Sequence, residues 1–293
     1  MRKFTFLAGV TILALIILIA FIGPYTPFID SELTEKKFEF LEDNTIIVPP
    51  YPPSKEYLLG SDSRGVDLLS RLVMGARETM IIIFSIVIIR MLLGVILGFG
   101  AAYSRLIKAL LVIWNQLFSY IPPIFLIAMI IGIPFFLVSP NRPFWFIVIL
   151  AILEVGRVGE TVHKLVVSIT QTNYYEAGIV VGNSPIGLSK KYLLPNLSPQ
   201  LVTIIVNELG RVLFLIAQLG VIGIFINVVF EPGEFGGFNI VNGSESWPNL
   251  LDNIQRDIYS HQIVPFSGIL VISLTVLSFY IVGNGIIRKL SKR

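Results

Sequence analysis

The 293-residue sequence contains no cysteine and only two histidines. Without cysteine there are no disulfides, no Cys-ligated zinc, no iron–sulfur cluster and no thiol catalysis. His163 and His261 lie far apart and lack HExxH or another ligand spacing, so no metal site is expected. No GxxxxGK[ST] occurs, so the chain does not bind ATP through that motif. Paired carboxylates beside a nucleophile are also missing, and no catalytic residue is assigned. Charge is scarce as well: 14% of residues are Asp, Glu, Lys or Arg, against roughly 25% in globular domains. With a mean hydropathy of +0.80, the chain cannot hide its apolar side chains in a soluble core. It reads as an integral membrane protein.

Hydrophobic runs of about twenty residues, enough to cross a hydrocarbon core about 30 Å thick, recur six times: roughly 5–23, 80–102, 109–133, 143–162, 200–229 and 265–287. The first is continuous from Phe4 to Ile22 and ends in Gly23-Pro24-Tyr25, not in a small-x-small cleavage site, so it reads as a retained span. The expected fold is all-α and polytopic, with six transmembrane helices. Placing the N-terminus inside gives the cytosolic segments Arg2, Lys3, Arg105, Lys108, Arg157, Lys164, Lys190, Lys191, Arg288, Lys289, Lys292 and Arg293, with Glu154, Glu160 and Glu176 their only acids. Most acids fall in the outer segments, and the Lys/Arg bias of short loops puts both termini in the cytosol.

Four parts follow from this pattern: a first transmembrane helix (1–23), an extracytoplasmic loop (24–78), a five-helix core (79–287) with a cytosolic insert at 157–199, and a cytosolic tail (288–293). The loop is acidic at Glu32, Glu35, Glu39, Glu42 and Asp43, then Pro-rich at PPYPP (49–53), which favours an extended backbone. Val66, Leu69, Leu72 and Val73 then recur at helical spacing opposite Asp67, Ser70 and Arg71, the pattern of an amphipathic helix on a membrane surface. WPNLLDNIQRDIY (247–259) is a second short amphipathic candidate. Inside the third run, Ile121-Pro122-Pro123 should interrupt the backbone ladder and leave a kinked helix facing protein or water.

Arg90, Glu208 and Arg211 stand out among the charges inside the runs. Arg90 lies mid-span, where an arginine costs at least about 2.5–3.5 kcal/mol without a partner or water. Glu208 is its candidate partner; the alternative is that Glu208 pairs with Arg211, three residues on along the same helix.

The most informative segment is NYYEAGIVVGNSPIGLSKKYLLP (173–195), a polar, Gly- and Pro-punctuated insert between two apolar runs. Its spacing, Glu176-Ala177-Gly178, then Gly182, then Leu194-Pro195, resembles the EAA loop of ATP-driven importer permeases. LGSDSRGVDLLSRLVMGAR (59–77) and the tail from His261, with WPNLL (247–251), are similar to segments of the C-type transmembrane subunit of oligopeptide and dipeptide ABC importers. The resemblance covers nearly everything from Leu59 onward. Departures are Gly178 for the third alanine of EAA, Tyr192 where isoleucine is common, Val66 for an arginine, Glu160 where arginine is frequent, and VIGIF (221–225), only loosely similar to the family's glycine-rich segment.

The resemblance implies a transport subunit, not an enzyme, in a prokaryotic cell membrane. It implies a second, related permease subunit, two cytosolic ATPase subunits holding ATP and magnesium, and an extracytoplasmic substrate-binding protein; this chain would bind no cofactor itself. A short helix at Tyr174 to Val181, carrying Tyr174, Tyr175, Glu176, Ala177 and Gly178, would dock in an ATPase groove, Gly182 would make the following turn, and Pro195, after Leu194, would end a second short helix before the fifth span. Two other readings stay open: an ATPase-independent carrier or channel using Arg90, Glu208 and Arg211 as an intramembrane relay, and a scaffold that tolerates changes at those charges.

Overall fold

The computed structural model describes residues 2–40, 46–232 and 236–290, so Glu42, Asp43, Lys292 and Arg293 lie outside the described residues. It is mostly helical. In chain order the elements are α1 (Arg2–Ile22), the antiparallel ribbon of β1 (Glu39–Phe40) and β2 (Ile46–Ile47), α2 (Leu68–Tyr103), α3 (Arg105–Ser119), α4 (Pro123–Ile131), α5 (Pro134–Leu137), α6 (Arg142–Leu153) and α7 (Val155–Thr170). There follow α8 (Asn173–Val180), α9 (Pro185–Leu188), a π-helical turn at Ser189–Leu193, α10 (Leu194–Val221), the ribbon of β3 (Val228–Pro232) and β4 (Phe238–Asn242), α11 (Ile254–Ser260) and α12 (Ile263–Leu290).

Among the described residues, four helices are long and apolar enough to cross a membrane: Phe4–Tyr25, Leu68–Tyr103, Ile186–Val221 and Ile263–Arg288. α3 and α4 make a fifth if counted as one span, but they are bent by 90°. The cause is local: Pro122 and Pro123 occupy the N-cap and first position of α4, where neither has an N–H to lend to a continuing helix. The fourth expected run, 143–162, is divided at Glu154 into helices of 12 and 16 residues. Neither alone reaches the roughly twenty residues of a crossing.

Other expectations are corrected by local geometry. α2 is one helix of 36 residues, so the amphipathic stretch around Val66–Val73 forms its approach and first turns, and the boundary expected at 78/79 falls inside it. Asp67 caps it, its carboxylate accepting the Ser70 N–H at 2.8 Å and the Ser70 hydroxyl at 2.6 Å. The fifth run was expected to reach 229, but α10 stops at Val221 because Gly223 takes a left-handed conformation (φ 74°). The Ile224 N–H then turns back to the Leu219 carbonyl at 2.9 Å. The all-α expectation is modified by the two small ribbons. PPYPP lies in neither helix nor strand.

The chain divides into two compact units, Met1–Ile83 with Leu213–Ser278, and Phe84–Val212 with Phe279–Arg293. In the first, Trp247 seats the 3-10 turn Trp247–Leu251 on the start of α2. Its indole donates to the Leu72 carbonyl at 2.8 Å and its N–H to the Thr79 hydroxyl at 2.9 Å. The Glu78 carboxylate accepts the Ser244 hydroxyl and the Glu245 N–H, both at 2.7 Å. In the second, α2 and α7 approach closely. A Cβ on Gly98 would lie 2.6 Å from the Gly159 carbonyl oxygen and 2.7 Å from the Val162 Cβ.

That approach leaves no room for a methyl group, so Gly98→Ala should cost about 1–3 kcal/mol. At Gly100 a Cβ meets only the end of the Ile107 side chain, at 3.0 Å, and Gly100→Ala should change stability much less. Thermal unfolding of the purified protein in detergent tests this; equal losses at both positions would refute the backbone-contact account.

Candidate functional site

The insert folds as a small hook. Thr172 caps α8 through its hydroxyl, which accepts the Tyr175 N–H at 3.4 Å. The helix ends in a Schellman turn: the Gly182 N–H reaches the Ile179 carbonyl at 2.9 Å, and the Asn183 N–H reaches the Gly178 carbonyl at 3.3 Å. Gly182 occupies the left-handed position of this turn with φ 79°. Among the described residues, nothing beyond its own chain neighbours lies within 4 Å of where its Cβ would be, so its role there is conformational. Tyr175 and Gly178 face inward, whereas Tyr174, Glu176, Ala177 and Gly182 are exposed. Ile179, Val180, Val181 and Ile186 are exposed too, Val180 by 86%, giving the hook an apolar tip left open by the described residues.

Pro195 does not end a second short helix. Helix continues from α9 through the π-helical turn into α10, with the Leu194 N–H bonding to the Ser189 carbonyl five residues back. In an α-helix the Lys191 carbonyl would accept from residue 195, but proline has no N–H. That carbonyl accepts the Tyr174 hydroxyl instead, at 3.3 Å. Leu194 and Pro195 are exposed on the first turn of α10.

Two sequence departures meet here. A Cβ on Gly178 would lie 2.7 Å from the Tyr192 ring and 3.0 Å from Leu188. The Tyr192 ring also packs on Tyr174, with centroids 4.7 Å apart, and meets Tyr175 edge-on at 6.4 Å. The larger residue at 192 fills the space that the smaller residue at 178 leaves.

The buried charges form a second constellation. Arg90 is fully buried; its guanidinium reaches Glu154 at 2.7 Å and Glu208 at 2.9 Å. Its other terminal nitrogen donates to the Leu150 carbonyl at 2.6 Å. In an unbroken helix that carbonyl would accept the Glu154 N–H, but the Glu154 N–H turns to Ile152 instead. Arg90 therefore satisfies a backbone group that the α6–α7 break sets free. Arg157 grips Glu208 with both terminal nitrogens, at 2.9 and 2.8 Å, and reaches Glu154 at 3.2 Å. Arg211 stands further off, 3.8 Å from Glu208 with its side chain 48% exposed.

Arg90 and Glu208 are thus brought together, with Arg211 a looser neighbour. Glu154 and Arg157 were counted among the cytosolic charges and are instead full members of this cluster. A signal for them was present: they stand three residues apart, the spacing of a helical ion pair, inside the fourth apolar run.

A family model described as "Binding-protein-dependent transport system inner membrane component" matches residues 90–293. Over 208 residues the sequence is 28% identical to a protein of Brucella suis biovar 1 (strain 1330) named as a candidate peptide transport system permease, covering 70% of this chain and 64% of that one. A counterpart in Brucella abortus biovar 1 (strain 9-941) matches to the same extent. The glutathione transport system permease protein GsiD of Pectobacterium atrosepticum is 24% identical over 236 residues, 80% of this chain and 72% of its own. The match thus spans just under two thirds of the length of the Brucella relatives.

Two outcomes follow from the geometry. Gly178→Ala should destabilise by about 1–3 kcal/mol, and adding Tyr192→Ile should restore most of the loss; strictly additive losses in the double-mutant cycle would show that the two sites are independent. Glu208→Gln leaves Arg90 and Arg157 with Glu154 as their one shared carboxylate among the described residues and should cost about 3–5 kcal/mol, whereas Arg211→Gln, at a half-exposed looser pair, should cost under about 1 kcal/mol. Thermal unfolding of the purified protein measures both, and a Glu208→Gln protein as stable as its parent would contradict the cluster's structural weight.

Proposed function

The chain belongs to the family of binding-protein-dependent transport system inner membrane components, which are transport permeases and not enzymes, and from that premise we propose that it is the permease subunit of an ATP-driven importer of short peptides. The observation that carries this reading is the hook at residues 173–195, a closed, self-packed projection between two apolar stretches with an exposed apolar tip at Ile179, Val180, Val181 and Ile186. An uncovered apolar patch of this kind marks a protein contact. The peptide-related names of the relatives support the substrate class.

In this reading α8 sits in the groove of a cytosolic ATPase subunit, with Glu176 and Ala177 on the docking side and Tyr174, Tyr175 and Tyr192 bracing it. Two such ATPases hold the nucleotide and magnesium, a second permease of the same family completes the pore, and an external binding protein delivers the peptide to the acidic outer segments. Closure of the ATPase pair pushes α8, and α7 and α10 carry the push into the membrane, where access alternates. The chain crosses six times, counting the bent α3–α4 pair and the broken α6–α7 pair as one crossing each, with both termini in the cytosol of a prokaryotic cell. Arg90, Glu208 and Arg211 then belong to the wall of the pathway.

Gly182→Asp separates docking from folding. Aspartate tolerates the left-handed region better than most residues, so the substitution should cost folding no more than about 1–2 kcal/mol, and no neighbour in the chain obstructs it. A charge beside the apolar tip should weaken ATPase association by about tenfold or more, equivalent to 1.4 kcal/mol or above, and abolish ATP-driven uptake; Glu176→Lys should do the same more mildly. Co-purification with the ATPase subunits and labelled-peptide uptake in proteoliposomes are the measurements. Undiminished ATP-driven uptake by the Gly182→Asp protein would sink the docking assignment, and uptake without any co-purifying ATPase would favour a self-sufficient carrier.

A further inference from the structure

Two interrupted helices face a common cavity of about 300 Å³, where the bend between α3 and α4 meets the break between α6 and α7. Asn115, Ser119, Tyr120, Pro122, Glu154 and Arg157 are among its lining residues. Inside a membrane, irregular backbone is tolerated where it lines a water-filled path, and transporters place substrate sites at such breaks. α4, of nine residues, and α7, of sixteen, both begin at this cavity, and helix N-termini carry partial positive charge. Arg157 is the most exposed of the four tightly paired charges: its side chain is 29% exposed, against 12% for Glu154, 4% for Glu208 and none for Arg90. Of the two charges that line the cavity, Arg157 is more exposed than Glu154.

The charge balance points the same way. Among the described residues Arg90 and Arg157 share two carboxylates, Glu154 and Glu208, and Arg211, half exposed and outside the cavity lining, is a third arginine 3.8 Å from Glu208. The nearby Glu160 is engaged by Lys164 and Asn115 and does not close the gap. A set of intramembrane arginines with too few acids is costly unless water or another anion completes it. We propose that the anion completing this set is the C-terminal carboxylate of a peptide in transit, held at this cavity by the Arg157 guanidinium; the Asn115 amide and Ser119 hydroxyl that also line it already donate to Glu160 and to Asn115. The volume suits one end of a short peptide, and Tyr120, Pro122 and the neighbouring Leu153 give its side chain an apolar wall. Arg157 can turn toward the ligand because Arg90 alone still bonds both glutamates. This assignment rests on the reading of the chain as a peptide permease.

The absence of cysteine from the chain makes the test direct. In the assembled complex, with the other subunits freed of cysteine, Ser119→Cys is modified with a sulfonate-bearing and with a trimethylammonium-bearing thiosulfonate, each rate normalised to that of a free thiol. The anionic reagent should react about tenfold faster, the lower range for a cleft of one sign. Arg157→Gln should bring the ratio near one, and Arg157→Lys should preserve most of it. Dialanine with a free C-terminus should slow the modification, and its C-terminal amide should not. A ratio near one in the parent, a ratio unaffected by Arg157→Gln, or equal protection by the two peptides would each overturn the assignment. Should Arg157→Gln fail to assemble, the two peptides on the parent Ser119→Cys protein still decide it. Peptide uptake by the same preparation is scored separately: no ATP-driven uptake despite an intact reagent preference removes the proposed transport function and leaves the anion site standing.

Discussion

A guanidinium with no exposed surface cannot rest in the middle of an apolar helix by itself. Arg90 imposes that constraint on α2, and one unit of the chain is arranged to meet it. α10 brings Glu208, the junction of α6 and α7 brings Glu154, and the same junction offers a backbone carbonyl that has lost its own helical partner. Each helps resolve a difficulty for the other. The break would leave an orphan carbonyl in a low-dielectric setting, and the arginine would lack enough acceptors, yet the two together are satisfied. Arg157 then shares both carboxylates, so neither glutamate depends on a single cation.

The hook at residues 173–195 follows a similar economy of compensated departures. Pro195 removes a backbone donor, a π-helical turn widens the helix there, and the Tyr174 hydroxyl takes the carbonyl that is left over. Gly178 withdraws a side chain, and Tyr192 advances into the space. Read singly, these residues look like deviations from a pattern; read together, they are contacts.

Much of this was legible in the amino-acid sequence because it rests on local rules. The apolar runs located α1, most of α2 and α12, and the Gly- and Pro-punctuated spacing located the hook with its turn at Gly182. What escaped has identifiable causes. Hydropathy counts apolar residues and cannot see a left-handed Gly223, so the fifth run was carried past the true end of α10 at Val221. The break at Glu154 has neither proline nor glycine at the site itself, and it depends on Arg90, distant in sequence, to receive the freed carbonyl. Arg157 and Glu154 were placed by their nearness to the end of an apolar run, although tertiary pairing decides where they belong. The β3–β4 ribbon was hidden by the Gly- and Asn-rich composition of its surroundings, which reads as loop.

The tyrosine clasp at Lys191 also bears on how force travels. A push on the tip of the hook has two load paths: along the peptide chain into α7, and across the Tyr174 hydroxyl and the Tyr174–Tyr192 ring contact into the start of α10. The turn at Gly182-Asn183 is then not the only transmission between the halves of the hook. The two limbs of the hook are thus clasped to each other away from its tip, and a displacement of one is shared with the other without passing through the turn.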